Sequence, residues 1–424
     1  MACAIVFIDC AFAINCILGG WFLQSISIFS VLKGKNRVKR KHIQSASTLI
    51  VLGVTLGALS ILSWCHKPQE LSVSERRRLA KRPSLTVESV LDGSFMSGFE
   101  RYSQDQFPYR EIFRKIKSEA LFELYQQKDV HGIFVADGYA AAIESEINEA
   151  SVAHAVSAFE NVYKLYLKNG DHAIYSAIIP DKGYFLAEKY GYPSMDYDEF
   201  FEKIKDGMPY AIFIDVVPTL QIDSFYRTDS HWRQEKLVDT ANEIKNAMGA
   251  TGQAIGDGGS GPLGPFTPSP VAHQATDSFY GVYYGQAALS MKPDTIEYID
   301  SDVISQATVY NFETGKTGGV YDWEKLDGND PYDFFLSGAA ALLKIENPNA
   351  AEEKKLIVFR DSYGSSLIPL LIDAYSEITV VDIRYVAPKK LGELIDFDSE
   401  AGRKADVLFL YGTVLLNDSS TLKE

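Results

Sequence analysis

The chain has 424 residues, which is enough for one large domain with shorter appended segments. Its content of 46% hydrophobic and 12% aromatic residues excludes general disorder. The formal net charge of −15 disfavours DNA or RNA as a partner, so no nucleic-acid function is expected.

Residues 45–65 form an uncharged apolar segment, which predicts a transmembrane anchor. A helix of this length rises about 1.5 Å per residue and crosses roughly 30 Å of hydrocarbon. The basic stretch within residues 1–44 should stay in the cytoplasm, which places residue 66 onward outside the cell membrane. A cleaved signal peptide is the competing interpretation.

Residues 1–32 are also apolar, although Asp9 and Asn15 interrupt them, and two interpretations remain open. In the first interpretation they form a membrane span, so that two spans flank the basic stretch. Alternatively, they precede the true start of the protein, which would then lie near Val31 or Val38.

The polar residues 66–97 after the anchor predict a stalk, and residues 98–424 the extracytoplasmic domain. Residues 98–128 and 148–169 carry apolar side chains at helical spacing. Because proline disrupts a helix, a break is predicted at Phe107-Pro108.

Five short β-rich runs follow, several of them with helical stretches after them. This pattern predicts an α/β fold with a mostly parallel sheet that is covered on both faces. The runs are residues 173–179, 211–215, 356–359, 378–383 and 407–411. Residues 251–275, rich in Gly, Pro and Ser, predict a flexible loop or a lid over a site.

Asp229 and His231 are the first candidate site residues. They are two positions apart, so in an extended segment their side chains leave on the same side. A carboxylate there can orient an imidazole and stabilise its protonated form, as a general base requires. The alternative is that Asp229 only caps a helix that begins near Trp232.

Ser362 is the second candidate. It follows an apolar strand and precedes a predicted helix, and open α/β sheets bind ligands at such strand ends. The first N–H groups of that helix could stabilise an oxyanion. The alternative is again capping, by Asp361 or by Ser362 itself.

Other polar residues have two interpretations each. Lys182 follows a strand and either contacts an anionic glycan or lies in a solvated turn. Tyr411 ends a strand and either donates to an oxyanion or packs in the core. No metal or other cofactor is expected, because His131, His154, His172 and His273 lack ligand spacing and no cysteine follows Cys65.

Several ordered motifs resemble the bacterial DHHW family, which is similar to the SGNH-type proteins of alginate O-acetylation. The resemblance covers most of residues 72–416. Its strongest pieces are residues 75–80, 91–95, 105–110, 226–232, 332–338, 360–364 and 381–385. Ser230 departs from the Asp-His-His-Trp pattern of the family name, whereas Asp229, His231 and Trp232 match it.

The resemblance implies a permuted, SGNH-hydrolase-like three-layer α/β domain in which Ser362 is the nucleophile, His231 the base and Asp229 its partner. Tyr363 and Gly364 join Tyr411 and Lys182 as oxyanion or substrate candidates. Residues 337–340, Ser-Gly-Ala-Ala, lack the amide side chain that the family comparison would place there.

The implied function is transfer of an acyl group, most simply acetyl, to a surface or exported polysaccharide. The donor would arrive through a membrane-bound O-acyltransferase partner. The alternatives are a glycan acetyl-esterase with the same triad and a non-catalytic glycan-binding or assembly protein. In the last case Tyr280, Tyr283 and Tyr284 could line a sugar groove.

Overall fold

The computed structural model describes residues 37–65, 67–250, 272–350 and 353–423. The predicted first span and residues 251–271 of the predicted lid lie outside these ranges. The described chain begins with the helix Arg37–Cys65. Its segment Ala46–Ser63 is, among the described residues, the only one in a helix long and apolar enough to cross a membrane.

The described residues fall into two compact units, and the first contains residues up to Gln127 together with Ala288–Ser290. In it, strands β1 (Leu71–Ser72) and β2 (Arg77–Arg78) pair antiparallel, so part of the predicted stalk folds back on itself. Arg77 stabilises this turn through an ion pair of 2.6 Å with Asp105.

The helices of the first unit are Val87–Leu91, Ser94–Asp105 and Arg110–Glu119, and a π-helical turn follows at Ala120–Leu124. The gap between the last two helices contains Phe107 and Pro108, as predicted. Proline has no backbone N–H to donate, so a helix cannot continue through it without losing a hydrogen bond.

The second unit contains the rest of the described chain, and its centre is an eight-stranded mixed sheet. Three small strands precede it as an antiparallel sheet: β3 (Asp129–Val130), β4 (Ile133–Ala136) and β5 (Tyr139–Ala142). A separate antiparallel pair is formed by β8 (Ala272–Phe279) and β9 (Asp294–Ile299).

The strands of this sheet are β6 (Ile174–Ile179), β7 (Ile212–Phe213), β10 (Thr308–Asn311), β11 (Lys316–Gly318), β12 (Leu342–Glu346), β13 (Lys355–Arg360), β14 (Glu377–Val381) and β15 (Asp406–Gly412). They are ordered β11-β10-β12-β14-β13-β15-β6-β7. The last five in this order run parallel to one another, and the three at the other edge pair antiparallel. The five predicted runs are the five parallel strands, so the prediction of a large, mostly parallel sheet is confirmed.

Both faces of the central strands β6, β13, β14 and β15 are buried. Side chains alternate along a strand, so Leu408 and Leu410 of β15 enter one core while Phe409 and Tyr411 enter the other. The α-helices of this unit are Glu149–Val162, Lys182–Leu186, Tyr197–Gly207, Val238–Ala247, Val282–Ala287, Asp302–Gln306, Gly364–Leu367, Glu400–Arg403 and Thr413–Asn417. The carboxyl ends of β13, β15 and β6 meet at one edge, which carries the candidate site.

Candidate active site

Asp229 and His231 lie on one tight hairpin loop. Phe225 and Trp232 form an isolated antiparallel bridge that closes the loop, and the Tyr226 N–H donates to the carbonyl of His231 over 3.0 Å. Within the loop, Asp229 Oδ1 accepts hydrogen bonds from the His231 backbone N–H over 3.0 Å and from His231 Nδ1 over 2.5 Å. Asp229 therefore orients the imidazole, and the 3-10 helix Gln234–Lys236 that follows Trp232 has no side-chain cap.

Two buried residues support the back of this hairpin. Asp294 accepts hydrogen bonds from the backbone N–H groups of Arg227 and Thr228, over 3.0 and 2.8 Å. The Lys182 ammonium donates to the carbonyl of Tyr226 over 2.8 Å. These contacts fix the hairpin backbone next to Asp229.

Lys182 is neither in a solvated turn nor placed to touch a glycan, because its side chain is only 1% exposed. Burial lowers its pKa to about 7, although the carboxylates of Asp229, Asp294 and Asp181 oppose this shift. Its contacts with backbone carbonyls of the hairpin give it a structural role.

Residues 281 and 282 pack directly against Asp229. The Val282 N–H donates to Asp229 Oδ2 over 2.8 Å, and the Gly281 N–H donates to the hydroxyl of Thr228 over 2.9 Å. A Cβ added at Gly281 would lie 2.2 Å from the Cβ and 2.3 Å from the Cα of Asp229. Only glycine permits this approach, and both carboxylate oxygens of Asp229 are consequently engaged.

Ser362 lies in the turn between β13 and the helix Gly364–Leu367, and it is partly exposed. Its Oγ is 2.7 Å from His231 Nε2. Asp361 organises the turn, since its carboxylate accepts from the N–H groups of Tyr363 over 2.9 Å and Gly412 over 2.7 Å. Asp361 thus holds the turn in place, and the Ser362 hydroxyl contacts the imidazole.

Tyr363 connects the serine turn to the hairpin. Its hydroxyl donates to the carbonyl of Ser230 over 2.8 Å, and its own carbonyl accepts from Trp232 Nε1 over 2.9 Å. Burial raises the pKa of Tyr363 well above its usual value, which keeps this donor protonated. Because Ser230 contributes its backbone carbonyl here, this contact does not require the histidine that the family name would place at that position.

Tyr332 and Gln234 are supporting residues to which the sequence analysis assigned no role. The Tyr332 ring stacks on the His231 imidazole with centroids 3.9 Å apart and an interplanar angle of 9°. Its hydroxyl is 2.8 Å from Ser366 Oγ, and the Gln234 side chain donates to the Ser366 carbonyl over 2.8 Å. The plane of the imidazole is therefore fixed by contacts from distant parts of the chain.

The other oxyanion candidates are placed differently. Tyr411 is fully buried against Phe159, with ring centroids 4.7 Å apart, so it is a core tyrosine. Gly364 permits close packing, since a Cβ there would lie 2.9 Å from the Cβ of Arg360, and its N–H donates to the Asp361 carbonyl over 3.2 Å.

The N–H groups that follow Ser362 already have acceptors within the turn. Those of Tyr363 and Gly364 donate to Asp361, and that of Ser365 donates to the Ser362 carbonyl over 3.1 Å. Within the described part of the chain, the Ser362 N–H itself makes no hydrogen bond. It is therefore the N–H of this turn that a substrate oxygen could use without breaking an existing contact.

A partly buried ion pair follows the hairpin. Arg233 Nε lies 2.6 Å from a carboxylate oxygen of Glu235, and the same guanidinium is 3.3 Å from Glu297. Burial raises the pKa of Glu235 to about 7, although Arg233 opposes this shift. The described residues contain no group of three or more His, Cys, Asp or Glu side chains that could hold a metal.

Comparisons with known proteins agree with this architecture. A DHHW family protein from Eubacterium siraeum has 20% identity and a TM-score of 0.52, over 69% of this chain and 95% of that chain. PatB1 from Bacillus cereus, solved with a sulfonyl adduct, has 15% identity and a TM-score of 0.51, over 69% and 95%. At these identities the likeness shows the fold alone.

The O-acetyltransferase domain of AlgJ from Pseudomonas putida is more distant, with 14% identity and a TM-score of 0.41 over 68% of this chain and 92% of that chain. No curated protein sequence matches the chain. The family model described as DHHW protein matches residues 224–381, which include the hairpin and the serine turn. The resemblance to the DHHW family that the sequence motifs indicate is therefore confirmed over this region of the chain.

Proposed function

We propose that this chain transfers an acyl group, in the simplest case acetyl, to a hydroxyl of a surface or exported polysaccharide. The observation that carries the proposal is the continuous hydrogen-bond relay from Ser362 Oγ through His231 to Asp229, with contacts of 2.7 and 2.5 Å. A hydroxyl, an imidazole and a carboxylate in this order form the arrangement that activates a serine nucleophile.

In the first step, Ser362 Oγ attacks the acyl carbonyl of the donor while His231 Nε2 takes the hydroxyl proton. The tetrahedral intermediate collapses, the donor leaves with that proton, and an acyl-serine remains. In the second step, His231 takes a proton from a glycan hydroxyl, whose oxygen attacks the acyl-serine. Ser362 then leaves and regains its proton from His231, so that no net charge is left in the site.

The Ser362 N–H is the donor that we assign to the oxyanion of both intermediates. It lies next to the attacking oxygen, whereas the following three N–H groups already donate within the turn. A preorganised backbone donor of this kind typically contributes several kcal/mol to a transition state. No side-chain amide at residues 337–340 is required.

The order of the relay residues supports a permuted SGNH-like domain, because Asp229 and His231 precede Ser362 in the chain. The helix Arg37–Cys65 supports a membrane anchor with the catalytic unit outside the cell. Such an anchor would keep the site near a membrane-bound O-acyltransferase that supplies the acyl donor.

The proposal is tested with the full-length chain in detergent and p-nitrophenyl acetate as substrate. Ser362→Ala and His231→Ala should each lose at least a hundredfold in turnover, as removal of a nucleophile or its base does. Ser305→Ala, which truncates an exposed serine elsewhere in the same unit, is the matched control and should retain wild-type turnover. Equal activity in all four proteins would refute the proposal.

A covalent readout makes the test independent of the acceptor. Phenylmethylsulfonyl fluoride should modify Ser362, detected by mass spectrometry of the labelled peptide, and His231→Ala should slow the reaction. Acetate release with no transfer to any glycan hydroxyl would instead identify an esterase. The partial exposure of Ser362 favours this as the second candidate, because water can reach the acyl-serine.

A further inference from the structure

A pair of tyrosine rings lies at the surface, on a segment whose backbone contacts Asp229. Tyr280 is 42% exposed, and its ring centroid is 4.5 Å from that of the partly buried Tyr284. Tyr283, which lies between them in sequence, points inward and is only 7% exposed. The segment thus presents two of its three tyrosines as one outer aromatic surface, which we call the tyrosine pair.

Backbone contacts fix the tyrosine pair to the acid of the relay. The Tyr284 N–H donates to the carbonyl of Thr228 over 3.1 Å, and the Gly281 N–H donates to the Thr228 hydroxyl over 2.9 Å. Between these contacts, the Val282 N–H donates to Asp229 over 2.8 Å. Three backbone hydrogen bonds therefore fix the segment that carries the two rings to the hairpin of Asp229 and His231.

We propose that the tyrosine pair is the acceptor subsite, on which a pyranose ring of the glycan stacks while its hydroxyl reaches the acyl-serine. This inference rests on the proposed function, because it assigns the acceptor of that reaction. Tyrosine suits the role because its ring offers an electron-rich apolar face to the C–H groups of a sugar, and its hydroxyl bonds to sugar oxygens. The ring also loses little conformational freedom on binding.

The subsite should act on the glycan and not on the acyl group. A small ester such as p-nitrophenyl acetate needs only the serine turn and the oxyanion donor. A glycan acceptor needs the stack as well, so loss of a ring should appear as weaker glycan binding and a higher KM for the acceptor. This division separates the proposal from a general structural role of the two tyrosines.

The test measures binding of three hexasaccharides, built of glucose, of N-acetylglucosamine and of mannuronate, to the full-length Ser362→Ala chain by calorimetry. Adding Tyr280→Ala should weaken at least one of them fivefold or more. Phe312→Ala is the matched control, since Phe312 is 38% exposed and packs edge to face against Tyr310 beside β10, three strands from β13. That control should bind as tightly as its parent.

In the chain with its serine restored, Tyr280→Ala should raise the acceptor KM at least five times more than it affects p-nitrophenyl acetate hydrolysis. The inference is overturned if no hexasaccharide binds, if Tyr280→Ala binds as its parent does, or if Phe312→Ala weakens binding equally. Failure of the proposed function looks different. It leaves Ser362→Ala as active as wild type, whatever the binding data show.

Discussion

Gly281 offers a direct test of the relay, because it can be changed without touching a polar group. In Gly281→Ala the new methyl group would lie 2.2, 2.3 and 2.5 Å from the Cβ, Cα and N atoms of Asp229. Ordinary contact begins near 3.4 Å, so the two backbones must separate by about 1 Å. The hydrogen bond of 2.8 Å from Val282 to Asp229 is then stretched or lost.

Two effects follow from this displacement. Overpacking of a buried contact typically costs about 1–3 kcal/mol in the free energy of unfolding. A shift of about 1 Å in a catalytic group can cost roughly a hundredfold in turnover. We therefore expect Gly281→Ala to lower p-nitrophenyl acetate turnover by one to two orders of magnitude and to lower Tm by about 2–10 °C.

The matched control is Gly318→Ala at the end of β11, where an added Cβ meets no atom within 4 Å. It should leave both turnover and Tm close to wild type. Turnover is measured at saturating substrate, and Tm by circular dichroism on the same preparations. A Gly281→Ala chain with wild-type turnover would refute the reasoning, since Asp229 would then tolerate displacement or would not act in the relay.

Three further predictions concern residues around the hairpin. Tyr363→Phe removes the hydrogen bond to the Ser230 carbonyl and should cost about 1 kcal/mol in unfolding free energy, measured by urea titration, together with a several-fold loss of turnover. Tyr332→Leu removes the ring that stacks on His231 and should reduce turnover about tenfold, whereas Tyr332→Phe should stay within threefold of wild type, and equal losses in both would contradict a role for the stack. Burial raises the pKa of Glu235 from 4.5 to about 7. Between these pH values Glu235 binds more protons in the folded state than in the unfolded state, so its contribution to stability is lost as the pH rises through this window. Glu235→Gln should remove a slope of up to about 1.4 kcal/mol per pH unit from urea titrations at pH 5 to 7, and an unchanged slope would contradict the assignment.

The central strands could be predicted because burial on both faces leaves a continuous apolar run in the sequence. Every residue of β6 (Ile174–Ile179) is buried, and the runs of β13, β14 and β15 have the same character. Strand β8 (Ala272–Phe279) lacked such a signal, because half of its side chains are both polar and exposed. Its pairing with β9 depends on tertiary contacts that no local pattern encodes.

The residues of the site can likewise be separated into those that the sequence predicted and those that it did not. Two-residue spacing placed Asp229 beside His231, and a strand end placed Ser362 where ligands bind. No local pattern joined the two segments; the chemistry of the three side chains and the family resemblance did. Gly281 and Tyr332 approach the relay from other parts of the chain, and neither position has a local signature. Lys182 was misjudged because a lysine after a strand is usually solvated, whereas here backbone carbonyls and nearby carboxylates stabilise it in the interior.

Because one hairpin carries both Asp229 and His231, the two hydrogen bonds of the relay differ in how easily they break. The acid and the base are neighbours on one closed loop, so they stay together whenever that loop is folded. The base and the nucleophile are 131 residues apart, and their contact depends on docking through Tyr363 and Trp232. Local unfolding at this contact would separate the serine from an intact acid–base pair. We therefore expect moderate heating to abolish activity reversibly at temperatures below those that unfold the sheet.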